Sequence, residues 1–318
     1  MKMHGRTQRR VAGRGNFTVR IVNRSNRLVL ILSTVILLAS SSCAPSHSDR
    51  IFIGSKNFTE SLILGELIAQ QIEAHSNLKV ERRFYLAGTY ICHQAMLAGR
   101  IDIYPEYTGT ALSAILKQQA GGDQATVYQR VKSAYEPLGL TLGPGFGFND
   151  TFAMEIRGDD ARRLQIKTLS QATAFATQWR AGFGYEFMER ADGYQGLVAA
   201  YGLHFAAPPR VMDLGLLARA LRDHQIDLAA GNTTDGLIPA LDLFVLEDDR
   251  HYFPPYEAVP VIREQTLRQH PEVAQAVAGL AGKISDQEMQ RLNYAVDGQH
   301  RDVKDVVRQF LRDKGLVH

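Results

Sequence analysis

The stretch Ile101-Asp102-Ile103-Tyr104-Pro105-Glu106-Tyr107-Thr108-Gly109-Thr110 decides how this chain is read. Ile101 and Ile103 alternate with Asp102, the pattern at the end of a half-buried strand. Pro105 has no N–H to donate and a fixed φ, so the ladder is expected to stop there. Thr108, Gly109 and Thr110 are candidate caps for the helix that follows. Two tyrosines and a carboxylate are thereby placed at a strand-to-helix turn, where open α/β sheets bind ligands.

Outward from this turn, the pattern repeats. Residues 51–54 read as a strand, and from Thr59 the apolar positions Leu62, Ile63, Leu64, Leu67, Ile68 and Ile72 form one broad helical face. Lys56 sits in the intervening turn, near a helix N-terminus whose free N–H groups suit an anion. A strand at 78–84 and a helix carrying Ile91, Ala95, Met96 and Leu97 lead back to Ile101. Strand–helix alternation at this spacing predicts parallel pairing with right-handed crossovers. Helices are expected at 110–119 and 124–135. The glycine-rich run 143–150 breaks regular structure and is taken as a domain boundary.

A second α/β set follows. Helices are expected at 170–179, 185–190 and 192–201, strands at 151–156, 180–184 and 226–230, and a helix at 214–224 capped by Asp213. After a strand at 258–263 the chain is helical, with Ser285 and Glu288 forming a capping-box pair.

The N-terminus is different in kind. Residues 1–27 carry eight Lys/Arg, and the first acidic residue is Asp49. The apolar run 28–38 and Ala39-Ser40-Ser41-Ser42-Cys43 complete a secretory signal over residues 1–42. The run is short for a transmembrane helix, which leaves a signal anchor as the alternative. Cys43 follows small residues as in a lipoprotein signal, although Ser40 stands where leucine is usual. Cleavage nearby without lipidation is the other possibility. Arg9-Arg10 matches a twin-arginine signal poorly. Residues 43–50 read as a linker.

Removing this leader takes the formal +3, less eight cationic side chains, to −5. The basic character therefore belongs to export, and nucleic-acid binding loses its support. With Cys43 lipidated, Cys92 has no disulfide partner and reads as a small buried hydrophobe.

Catalytic and cofactor signatures are missing from the sequence. It contains no HExxH, GxSxG, GxGxxG or P-loop pattern, so no cofactor and no enzymatic turnover are expected. The acid pairs Asp159-Asp160 and Asp248-Asp249 read as solvated turns. The loops offer Lys56, Arg190, Asn232 and aromatic residues at strand ends. Cations there suit a carboxylate and aromatic faces suit a cation.

Seven motifs in order, GSKNFTES, IDIYPEYTGT, FNDTFAM, EFMERADGYQGL, MDLGL, NTTDGLI and FPPYEAVPVIR, run from Gly54 to Arg263. In these the chain resembles the glycine betaine/carnitine/choline substrate-binding proteins of osmoprotectant ABC importers. The resemblance implies an α/β protein of the type II periplasmic-binding fold, with lobe one at 51–149 plus 257–318 and lobe two at 150–256, joined by a two-strand hinge. It implies that Lys56 and Arg190 hold a carboxylate, with Thr110 and the backbone at Asp150 adding polar contacts. Tyr107 and Tyr256 match two tyrosines of a quaternary-ammonium cage. Phe152 stands at a third tyrosine position, and Asn232 at the fourth makes one wall polar. The implied partners are a small zwitterionic or cationic solute and a membrane permease with a separate ATPase. A monomer in the periplasm or cell envelope is expected. Because of Asn232, choline or a betaine-type amino-acid derivative is the alternative ligand.

Overall fold

The computed structural model describes residues 50–118 and 121–317. The expected signal peptide, most of the linker, and Cys43 lie outside the described residues. No described helix is long and apolar enough to cross a membrane.

Two five-stranded sheets organise the chain. The first is built from β1 (Arg50–Gly54), β2 (Lys79–Arg83), β3 (Ile103–Tyr107), β4 (Leu140–Leu142) and, much later, β10 (Ala258–Arg263), in the order β2-β1-β3-β10-β4. The second comprises β5 (Phe152–Arg157), β6 (Ala181–Phe183), β7 (Arg210–Val211), β8 (Leu228–Asn232) and β9 (Leu243–Leu246), in the order β7-β6-β8-β5-β9. β1 pairs in parallel with β2 and β3, as the strand–helix spacing predicted. The antiparallel members are β10 in one sheet and β5 in the other, the strands that follow each passage between sheets.

Those two passages lie side by side. Asn149 bridges Glu257 in antiparallel fashion, and the N–H of Asp150 donates to the Tyr256 carbonyl at 3.1 Å. Gly147, at φ +117°, is required here: a Cβ would lie 2.8 Å from both Gly282 Cα and the Ile284 carbonyl.

The Thr59–His75 helix lies at the centre of the first half, against the first sheet and three C-terminal helices, Pro271–Ala278, Asp286–Asp297 and Val303–Asp313. Ile63, Leu64, Leu67, Ile68 and Ile72 are fully buried. Each contributes about 1.5–3 kcal/mol relative to an exposed side chain. The Ser285–Glu288 capping box forms as expected, as does the Asp213 cap. Cys92 is buried, and desolvation pushes its thiol up to about 12.

Three local expectations fail. Pro105 does not end β3, which runs on to Tyr107 and is buried throughout. Pro105 faces Pro260 across the antiparallel ladder, and β1 has already stopped pairing at Ile103, so no N–H is missed there. Thr108, Gly109 and Thr110 are the first helical turn instead of a cap, followed by the π-helical turn Ala111–Ile115. The acid pairs are not merely solvated: Asp160 pairs with Arg157 and Arg163, while Asp248 accepts from Tyr201, Tyr252 and Phe253.

Candidate functional site

A cavity of about 320 Å³ opens between the two halves, and Lys56, Tyr107, Thr110, Asp150, Phe152, Arg190, Asn232 and Tyr256 all line it. Residues 200 apart in sequence meet because both sheets present their strand ends and following loops to one cleft.

The first half supplies one buried cation. Lys56, just beyond β1, forms an ion pair with Glu106 in which both side chains are buried. Its ammonium lies 5.1 Å from the centre of the Tyr107 ring. Glu106 also accepts from Tyr104 Oη at 3.2 Å and from the Tyr107 N–H at 2.8 Å. Tyr107 stacks near Phe58 at 6.3 Å and donates its hydroxyl to Glu60 at 2.7 Å.

The second half supplies the other. Arg190 ends the short Tyr185–Glu189 helix and is 4% exposed. It grips Asp192 through Nε (2.8 Å) and Nη2 (2.6 Å), then reaches across the cleft to Thr110 Oγ1 (3.1 Å) and Ser113 Oγ (3.4 Å). Burial opposes the Asp192 charge, but hydrogen bonds and the Arg190 charge outweigh it and hold the carboxyl below its usual range. Glu186, on the cavity wall, is likewise held low against burial by Lys56 and Arg190.

Aromatic rings surround Arg190. Its guanidinium sits 4.9 Å from the Phe152 ring centre and 5.9 Å from that of Tyr256. Phe152 packs edge-on to Phe187 at 4.8 Å and to Tyr256 at 5.7 Å. Asn232 pairs directly with Phe152 across β5 and β8, so its side chain shares the wall with that ring.

Asp150 is engaged through both its backbone N–H and its carboxyl. Its backbone N–H is committed to the Tyr256 carbonyl, so it is not free for a ligand. Its carboxyl instead joins a network crossing the cleft. The Thr234 hydroxyl contacts Asp150 Oδ1 at 2.8 Å and Glu60 Oε2 as well, and Asn293 Nδ2 donates to Glu60 at 2.9 Å. A hydroxyl has one proton to donate, so one of the two carboxyls carries a proton and donates to Thr234. Burial raises both acids, Asp150 well above its ordinary value. The surrounding charged groups are Glu155 on β5, Asp235 after β8, Asp297 on the Asp286–Asp297 helix and Arg219 beside them.

An acid raised on folding holds its proton longer when folded. Its stabilisation is full below the unfolded pKa of about 4 and is lost as pH rises toward the folded value. Glu60→Gln removes one such titration. The melting-temperature difference is expected to favour wild type in acid and to shift toward the variant as pH rises above the unfolded value of about 4. A difference independent of pH would show that no proton is held.

Asp192, Ser113, Glu60 and Thr234 were not picked out from the sequence, and Glu106 was marked only as the carboxylate of the strand-to-helix turn. Glu60, Asp192 and Thr234 do lie inside quoted motifs, near Lys56, Arg190 and Asn232. Nothing local marks Ser113.

Residues 49–313 match the family model described as the substrate binding domain of ABC-type glycine betaine transport systems. The chain belongs to this family. A carnitine transport binding protein of Listeria monocytogenes is 36% identical, covering 89% of this chain and 94% of that one. An ergothioneine transport permease/ergothioneine binding protein of Helicobacter pylori is 35% identical over 84% of this chain and 48% of its own length. A crystal structure titled glycine betaine/carnitine/choline ABC transporter superposes with a TM-score of 0.70 at 32% identity, covering 84% of this chain and 99% of that one. Members of this family are extracytoplasmic binding proteins of importers, not enzymes, and work with a membrane permease and an ATPase. The two-sheet α/β architecture of this binding protein is the family's fold.

Proposed function

We propose that this binding protein captures a betaine, a quaternary ammonium carrying a carboxylate, by closure of lobe one (51–149 plus 257–318) on lobe two (150–256). One observation carries the reading: a single cavity gathers Tyr107, Phe152 and Tyr256 beside two buried cations contributed from opposite sides of the cleft.

The donor count supports it. Lys56 has three N–H groups and gives one to Glu106. Arg190 has five and uses four on Asp192, Thr110 and Ser113, which leaves one at Nη1, paired with Glu186 Oε1 at 3.6 Å but not hydrogen-bonded to it. The remaining donors meet the ligand carboxylate. The trimethylammonium lies against the aromatic faces, each worth about 0.5–2 kcal/mol when desolvated. Because the ligand bridges both lobes, it favours the closed arrangement.

Thermal shift and calorimetry with glycine betaine, carnitine, choline and ergothioneine test this. Stabilisation by at least one carboxylate-bearing member is expected, and none by any member would overturn the reading. Asn232→Tyr adds a fourth ring, and glycine betaine affinity is expected to rise about tenfold. An unchanged or weaker affinity would remove Asn232 from the cage.

Export through residues 1–42, anchoring by lipid at Cys43 and a monomeric state complete the proposal. Incorporation of labelled fatty acid, abolished by Cys43→Ala, tests the anchor.

A further inference from the structure

A second cavity of about 170 Å³ adjoins the first and shares the walls Asn57, Phe58, Asp213, Leu214 and Asn232 with it. It reaches between the lobes, with Glu60, Asn293 and Asp297 on one side and Glu155, Arg219 and Asp235 on the other.

The chemistry of this space is that of acceptors. Glu155 is 1% exposed and its Oε1 makes no hydrogen bond; Asn293 is 4% exposed and its Oδ1 makes none either. Flipping the Asn293 amide would sacrifice its donations to Glu60 and to the Thr234 carbonyl, so Oδ1 is the free atom. Two unpartnered acceptors thus line one cavity from opposite lobes. Each buried group of this kind costs about 1–3 kcal/mol and calls for a partner. Their neighbours strengthen the demand for positive charge. Burial raises the carboxyls of Glu155, Asp235 and Asp297, and repulsion from neighbouring carboxylates adds to it at Glu155 and Asp235. The cation on this wall, Arg219, donates to the Asp297 and Gly215 carbonyls and leaves Glu155 unpaired. Among the described residues no three His, Cys, Asp or Glu are arranged to hold a metal ion. A hydrogen-bond donor carried by a ligand would suit these acceptors. Asn232, smaller than the tyrosine the family resemblance implies there, forms the shared wall through which such a group would pass.

Resting on the betaine reading above, we propose that the natural ligand is a betaine whose side chain ends in an amine, seated in this acidic cavity against Glu155 and Asn293. Glycine betaine would fill only the first cavity. The donor group would bridge both lobes and add to closure.

Calorimetry on the intact protein compares Nα-trimethyl-lysine with Nα-trimethyl-norleucine, which has a methyl group in place of the ammonium. The lysine derivative is expected to bind at least about tenfold more tightly, the effect of a hydrogen bond to a charged group. In Glu155→Met that ratio is expected to fall to about twofold or less. The same variant is expected to raise the melting temperature of the unliganded protein, since it removes a buried unpaired carboxyl; a residue serving only structure would lower it. Equal binding of the two derivatives to wild type, with glycine betaine also bound, would mean that water alone fills the cavity and would overturn the inference while leaving the betaine reading intact. If neither derivative nor any simple betaine binds, the betaine reading falls and this inference with it.

Discussion

Arg190→Ala is expected to abolish ligand binding and to destabilise the unliganded protein by about 3–5 kcal/mol, the cost of breaking a buried ion pair by removing one partner. The reason lies in what is left behind. Asp192 is 7% exposed and would keep only the hydroxyls of Ser113 and Tyr256. The bonds from Arg190 to Thr110 and Ser113 also tie the second lobe to the first, so their loss loosens the cleft. Denaturant unfolding measures the stability and calorimetry the affinity. The double variant Arg190→Ala/Asp192→Asn is expected to recover part of the stability and none of the binding. Wild-type affinity in Arg190→Ala would overturn the assignment of this residue to the ligand carboxylate.

Lys56→Met is expected to be comparably severe. Glu106 has no exposed surface, and without the ammonium its carboxylate keeps only the Tyr104 hydroxyl and the Tyr107 N–H. Removing one member of such a pair costs about 3–5 kcal/mol, whereas replacing both by apolar groups is often neutral. Lys56→Met/Glu106→Leu is therefore expected to unfold near the wild-type denaturant midpoint yet fail to bind a betaine. Retained betaine affinity in the double variant would show that Lys56 serves Glu106 alone. The two experiments differ usefully. Lys56 is paired within its own lobe, while Arg190 also bonds across the cleft, so only the Arg190 variant should change the unliganded arrangement of the lobes, as read by small-angle scattering.

Much of the fold was legible because it is local. The period of the Thr59–His75 helix, the Ser285–Glu288 capping box, the Asp213 cap and the glycine-rich passage after Leu142 are written in neighbouring residues. The strands Leu140–Leu142 and Leu243–Leu246 and the helix Gly158–Leu164 were missed, the two strands being too short to express a period. Pro105 misled because its effect depends on which side of β3 lacks a partner, and that is set by Ile103 being the last residue paired with β1.

The candidate site divides along the same line. Its residue types, two cations, aromatic rings and a polar exception at Asn232, could be named from motifs, since the chemistry of a carboxylate and a quaternary ammonium restricts what can hold them. Their partners could not. Glu106 and Asp192 neutralise the cations, and Thr234 meets Glu60 across 174 residues of chain. Those pairings exist only because two sheets, each sound in itself, bring their loops within hydrogen-bond distance across one cleft. The sequence alone therefore determined the two α/β halves and the character of the ligand they suit. The tertiary structure decided which donors are still free to hold it, because hydrogen bonds are spent between groups adjacent in space.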